Sequence, residues 1–390
     1  MLRFFTAAGV VAATLACAGT AHAGQVLKVD DGKARVVRDR LLPPAKRTAL
    51  PAVPPRTRLL EPAIRAQAAA ALPPAQQAEY DAALADARGT RDGLPAGPPR
   101  DELAGAIANV EALDASGQLT SSRLAATLMT LRDNTEFWRS NQPPAPGTRV
   151  VFTGSPVLLE YYPGEGLQIQ PLGNFGKANA AWTVCRSRGD KTCATLQSLL
   201  DAMIALAADR GTFKAWEYYF DFEGGVPPWT SAMSQGAGIQ ALARAYALTG
   251  RTLYRDAAGA ALGAFETAPP TGVAVAATGG THYLVYSYAP QLFIFGGFYQ
   301  SLVGLDAYGD LTGDARGTTL FRAGNGNGKA IVSQSDTGSW SRYSVGGPDS
   351  TLEQHKLLTD VLGTLCRRQG TAVYCDHAAR YERYLGQRAG

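Results

Sequence analysis

Histidine, methionine and cysteine are scarce: four, four and five residues in a chain of 390. So few imidazoles and thiolates leave little from which to build a metal centre. A strong charge of one sign is missing too, because the formal net charge is only +4. That is too mild to argue for nucleic acid, although it is compatible with a weak attraction to acidic polymers. Long apolar runs are confined to the start. Residues 1–23, "MLRFFTAAGVVAATLACAGTAHA", combine one early arginine, an apolar core and a small-x-small ending at Ala21, His22 and Ala23, the pattern of a secretory signal. Lipid anchoring at Cys17 is the lesser reading, since Thr14 stands where such signals usually have leucine. Beyond residue 23 no stretch reaches the roughly 18 uncharged apolar residues of a membrane span. The expected product is secreted, periplasmic or held at the cell surface.

Cleavage removes Cys17 and leaves two close pairs, Cys185 with Cys193 and Cys366 with Cys375. Neither has the two-to-four-residue spacing of about one zinc hook. In an exported protein an even count suggests two local disulfides, and no metal or cofactor is expected.

Residues 24–100 are rich in alanine, proline and charge, as in "LLPPAKRTALPAVPPRTRLLEPAI". Proline every few residues argues against long helices and central strands, so this part is expected to be a flexible spacer. Residues 101–147 look like a helical hairpin with a glycine turn, its second helix capped by Thr120 or Ser121. From 148 to 390 short β-branched runs give way to helical patterns at 168–182, 195–210, 229–249, 252–267, 293–308, 314–324, 351–368 and 372–386. Short extended pieces lie between them, at 216–222, 281–288 and 339–345. Paired helices with a few hairpins predict a mainly α fold, an (α/α) toroid with short β-hairpins at one end.

Several motifs fail on inspection. "SDTGS" (335–339) holds one Asp-Thr-Gly, where an aspartic protease needs two. "AGNGNGKA" (323–330) lacks the first glycine and the hydroxyl of a phosphate loop and is expected to be a flexible helix-to-strand loop. No serine sits in a nucleophile elbow, and His355 has no sequence-visible partner that would make it a base. What stands out is tyrosine in the extended pieces: Tyr161 and Tyr162, Tyr218 and Tyr219, Tyr283, Tyr286 and Tyr288, and Tyr343.

The segment "FDFEGGVPPWTSAMSQGAGIQALARAYALTG" (220–250) resembles the C-terminal domain of the D-glucuronyl C5-epimerases, which invert C5 of glucuronate in heparosan or heparan chains. "PQLFIFGGFYQSLVGLDAY" (290–308) and "SDTGSWSRYSV" (335–345) are similar to two further family blocks in the same order, and "EYYPGEGLQIQPLGNFGKAN" (160–179) is similar to the start of its toroid. The resemblance implies a cofactor-independent epimerase acting on an acidic polysaccharide, and it leaves a homodimer open. Tyr343 matches the tyrosine of the Asp-Thr-Gly-Ser block. Tyr288 matches a second catalytic tyrosine after a short deletion, with Tyr286 as its competitor. The chain departs from the pattern at Ser287, where the family has glutamate, at Gly346, where it has arginine, and over 346–358, which contains no tyrosine.

Further candidates for the substrate are Gln235 and Ser231, four residues apart on one helical face, with Tyr161, Tyr162, Arg342, Arg244, Lys177, Glu165 and His355. The two glycines of "SQGAG" (234–238) each cost a helix about 1 kcal/mol relative to alanine. They read either as a bare stripe facing the sugar, with Gln235 as a contact, or as a site of close helix packing. Other activities stay open on the same fold: a uronate lyase, a glycoside hydrolase using two of Asp221, Glu223, Asp336 and Glu353, or a non-catalytic polysaccharide-binding toroid.

Overall fold

A computed structural model describes residues 24–42 and 72–389. The expected signal segment with Cys17, and the middle of the proline-rich stretch, lie outside the described residues. Where "QVLKVD" and "KARVVR" flank Asp31-Gly32, the chain makes a hairpin of β1 (Gln25–Asp30) and β2 (Lys33–Arg38). Asp31 and Gly32 take φ of 52° and 73°, the two-residue turn that Asp-Gly favours. β1 then pairs in parallel with β3 (Arg149–Phe152). β4 (Leu158–Tyr162) and β5 (Gly166–Ile169) complete a five-stranded sheet in the order β2-β1-β3-β4-β5.

The spacer expected over 24–100 is therefore corrected at both ends. At its C-terminal end lies helix α1 (Pro74–Gly93), followed by α2 (Pro98–Ala115). Both open with proline in the first turn, where the missing N–H costs no hydrogen bond. Those prolines start helices, whereas composition alone reads them as breakers. The expected hairpin over 101–147 thus becomes a three-helix group, with α1 and α2 packed on α3 (Ser121–Trp138) and α2 and α3 packed on β5.

Downstream the helices come in pairs: α4 (Pro171–Ser187) with α5 (Ala194–Ala205), α6 (Ala232–Thr249) with α7 (Thr252–Ala261), α8 (Phe295–Thr312) with α9 (Ala315–Ile331), and α10 (Leu352–Gln369) with α11 (Ala372–Ala389). The first members touch in succession, α4 on α6, α6 on α8 and α8 on α10. Disulfides Cys185–Cys193 and Cys366–Cys375 tie the first and last pairs, as the cysteine spacing predicts. One buried apolar core runs from Val29 and Leu103 to Leu362 and Tyr381. Small two-stranded ladders complete the fold: β6 (Ala208–Arg210) with β7 (Phe213–Ala215), β8 (Glu217–Tyr218) with β9 (Trp229–Thr230), and β10 (Ala274–Ala277) with β11 (Gly280–Tyr283). The piece expected over 339–345 forms only isolated bridges.

Two glycine-rich stretches owe their composition to helix contact. A Cβ on Gly236 would lie 2.7 Å from the Ser301 Cα, and one on Gly304 would lie 2.1 Å from the Gly236 carbonyl oxygen, so α6 and α8 meet backbone to backbone. Gly238 faces the rings of Phe175 and Trp216 at 2.8 and 2.9 Å. The loop expected over 323–330 is instead the interior of α9. Gly324 and Gly328, four apart and so on one face, lie against Leu302 and Tyr374, with 2.4 and 2.6 Å from a built Cβ.

Candidate active site

A cavity of about 710 Å³ opens between β3, β4, the β8–β9 ladder, the start of α6, residues 285–297 and residues 342–358. That volume is within the range of about 300–1,000 Å³ typical of ligand sites. Its wall is aromatic, with Tyr162, Tyr218, Phe220, Phe222, Trp229, Tyr286 and Tyr343. Trp229 stacks on Tyr218 at 4.0 Å between ring centroids, and the Phe222 ring lies 6.2 Å from Tyr162 and 5.9 Å from Tyr286.

Tyr343 is held by its backbone, whose N–H donates to the Pro348 carbonyl at 2.9 Å and whose carbonyl accepts from Phe295 at 3.1 Å. Because residues 342 and 343 do not lie in a regular strand, they need not alternate faces, and both Arg342 and Tyr343 line the cavity. Tyr343 packs against the aromatic cluster that contains Tyr286. Burial pushes the Tyr343 phenol up to about 12, with its neighbour Tyr286 acting the other way. Burial, together with its neighbours Tyr343 and Tyr288, pushes Tyr286 well above the ordinary range. Arg342 donates to the Gly347 carbonyl at 3.1 Å.

The second wall comes from the sheet. Arg149 and Glu160 are register partners on β3 and β4, and strand alternation puts Tyr162 on the same face as Glu160. All three line the cavity. The Arg149 Nε lies 3.9 Å from Glu160. Gln170, at the N-cap of α4, donates to the Tyr162 oxygen at 3.2 Å, and Tyr162 is an electrostatic neighbour of Glu160. Burial raises the Glu160 carboxyl above its ordinary range, with Arg149 and Tyr162 opposing. Tyr218, pushed up by burial, shares a 2.5 Å hydrogen bond with Ser234.

Of the residues expected from the sequence, the cavity gathers Tyr343, Tyr286, Ser231, Tyr162 and Arg342. The others serve elsewhere. Tyr288 packs behind the wall against Trp229 and donates to the Phe222 carbonyl at 2.8 Å, so the competitor Tyr286 takes the cavity position. Gln235 is fully buried and donates to the Trp216 carbonyl at 2.8 Å and to Thr230 Oγ1 at 2.7 Å. Tyr161, on the opposite face of β4 from Tyr162, donates to Glu102 at 2.6 Å. Lys177 pairs with Asp39 at 2.9 Å. Arg244 stacks on Trp182 and donates to Asn179 at 2.8 Å, with burial and its neighbours Arg368 and Arg186 lowering it to about 10. Glu165 accepts from Asn109 at 2.7 Å. His355 is buried, stacked on Trp340 at 3.7 Å and bonded to Ser341 at 2.7 Å. Ser287, standing where the family has glutamate, accepts from the Thr230 N–H at 3.1 Å and stitches that loop to β9.

Two of the hydrolase candidates are engaged in structural contacts. Asp336 is bound to Arg380 at 2.6 Å and to Tyr384 at 3.1 Å, and Asp221 closes a turn onto Gly224 at 2.9 Å. Glu353 lines the cavity and lies 3.9 Å from Lys356. Sequence reasoning missed Arg149, Glu160, Gln170 and Tyr218.

Comparison with known proteins gives a family match in the C-terminal part of the chain. Residues 210–383 match the family model described as D-glucuronyl C5-epimerase C-terminus, so the resemblance read from the sequence holds over that segment, which is less than half of the chain. No curated protein matches the chain. Among solved structures, a crystal structure of D-mannose isomerase superposes with a TM-score of 0.39 and 12% identity, covering 80% of this chain and 87% of that one. So loose a likeness carries no argument about fold or reaction.

Proposed function

We propose that the chain inverts C5 of glucuronate residues in a heparosan- or heparan-like, or other uronate, polysaccharide. The observation that carries this reading is the Tyr286–Tyr343 phenol pair beside Arg342 on the cavity wall. Removing the C5 proton, α to a carboxylate, gives a dianionic enolate, which needs cations or hydrogen-bond donors already in place. Arg342 and Arg149 both face the cavity where that charge would form. Inversion also needs a proton carrier on each side of the sugar ring, and Tyr343 is assigned as one of them. The aromatic wall suits the apolar faces of sugar rings. The succession α4, α6, α8, α10, each backed by a partner helix, supports an (α/α) toroid. The expected signal segment and the two disulfides support export.

The test is incubation of the protein with heparosan, and with other glucuronans, in D2O, followed by proton NMR at C5. The expected result is an inverted C5 carrying deuterium, with inversion reduced about 100-fold or more in Tyr343→Phe, the usual weight of a lost general acid or base. An ultraviolet-absorbing unsaturated uronate would assign a lyase instead, and binding without exchange a binding module.

A further inference from the structure

The epimerase reading leaves one side of the ring without an assigned proton carrier, since Tyr286 shares the Tyr343 wall, Tyr288 is turned away and Ser287 belongs to the β8–β9 packing. We propose that Glu160, beside Tyr162 on β4, is the second proton carrier, acting from the sheet wall of the cavity. This assignment rests on the epimerase reading. It draws on residues outside the segment that matches the family.

Three observations carry it. First, the register Arg149↔Glu160 and the two-residue alternation of β4 place guanidinium, carboxylate and phenol side by side on one face, and all three line the cavity. Second, the Gln170 amide donates to the Tyr162 oxygen at 3.2 Å, which leaves the phenol's one proton available along the face it shares with Glu160, two residues away on β4. Third, the competing cavity carboxylate is worse placed. Each lies 3.9 Å from one cation, Glu353 from Lys356 and Glu160 from Arg149, but Glu353 is 36% exposed and Glu160 18%. The more desolvated carboxylate is the stronger base.

The step balances as follows. The C5–H bond breaks, its proton ends on Glu160, and its electron pair passes into the C6 carboxylate as the enolate. A new C5–H bond forms from the Tyr343 O–H on the other face, leaving a phenolate beside Tyr286. Between turnovers Glu160 loses its proton to solvent and Tyr343 regains one. The reverse reaction exchanges the two roles.

Two carriers predict a crossed isotope pattern. Each single variant keeps one face working, so it exchanges C5–H for deuterium in one epimer without inverting it. Heparosan and a C5-inverted, iduronate-containing polymer of the same backbone are the probes, in D2O with NMR at C5. Glu160→Gln and Tyr343→Phe should each lose inversion by about 100-fold or more, and each should retain exchange in the opposite polymer. Glu160→Ala with added formate separates chemistry from folding. Formate restores exchange if a cavity carboxylate is missing, and restores nothing if Glu160 only supports the sheet. Inversion by Glu160→Gln at the wild-type rate, exchange of the same polymer by both variants, or no formate rescue would overturn the assignment and leave the epimerase reading standing. No exchange by the wild type would remove both.

Discussion

Replacing Gly304 by alanine tests whether the glycines of α6 and α8 exist for packing. The added Cβ would lie 2.1 Å from the Gly236 carbonyl oxygen and 2.8 Å from its Cα. A relaxed carbon–oxygen contact is about 3.3 Å or longer, so the helices must part locally by roughly an ångström. Both partners in the clash are backbone, and no side-chain rotation relieves it. Overpacking a dense core costs about 1–3 kcal/mol, and a backbone clash belongs near the upper end. Alanine returns up to about 1 kcal/mol of helix propensity. The net expectation is a loss of about 2 kcal/mol, or about 4–8 °C in Tm for a cooperative unit of 150–250 residues. Gly89→Ala is the internal control, since Gly89 is exposed within α1 and its added Cβ would meet nothing within 4 Å. It should gain up to about 1 kcal/mol. Thermal and urea unfolding followed by far-ultraviolet circular dichroism reads both changes. A Gly304→Ala protein as stable as its parent would refute the packing argument and return these glycines to the cleft.

Gln235→Ala should lower stability by about 1–3 kcal/mol, because it removes two buried hydrogen bonds that join α6 to Trp216 and Thr230. Urea midpoints measure this. A protein of normal stability that had lost turnover would put Gln235 back in the cleft. Glu217 sits between Arg123, at 2.7 Å, and Arg210, at 2.5 Å, all three buried. Glu217→Gln strands two guanidiniums and should cost about 3–5 kcal/mol. Burial alone would raise the Glu217 carboxyl, but the two arginines win and hold it at about 2, below its ordinary 4.5. A lowered carboxyl contributes its stability in full above the unfolded value and loses it as pH falls through the folded one. Unfolding free energies measured between pH 5 and pH 2 should therefore fall more steeply in the parent than in Glu217→Gln, and equal slopes would refute the assignment.

The helices and both disulfides were legible because their signals are local: a 3.6-residue period, a glycine past the last turn at Gly250 and Gly370, and cysteines eight and nine residues apart. The N-terminal hairpin carried an equally local signal in Asp31-Gly32, but the alanine and proline around it dominated the reading. Composition says what a stretch can do on average, whereas a turn is decided by two residues. Of the site, the Tyr343 wall was legible through its block of sequence. The sheet wall was not, because a glutamate in a strand ordinarily marks the solvent face. Only β5 beside it, and Gln170 and Tyr218 across from it, make the Glu160 face internal. One local rule would still have helped. Tyr161 and Tyr162 are adjacent on β4 and so point to opposite faces. They could not both have faced the sugar, and whichever did would have brought its i−2 neighbour with it: Leu159 beside Tyr161, or Glu160 beside Tyr162. An apolar neighbour means core, and an acidic one means a wall with chemistry. That parity divides the two tyrosines as the structure does, with Tyr161 bound to Glu102 in the interior and Tyr162 beside Glu160 in the cavity.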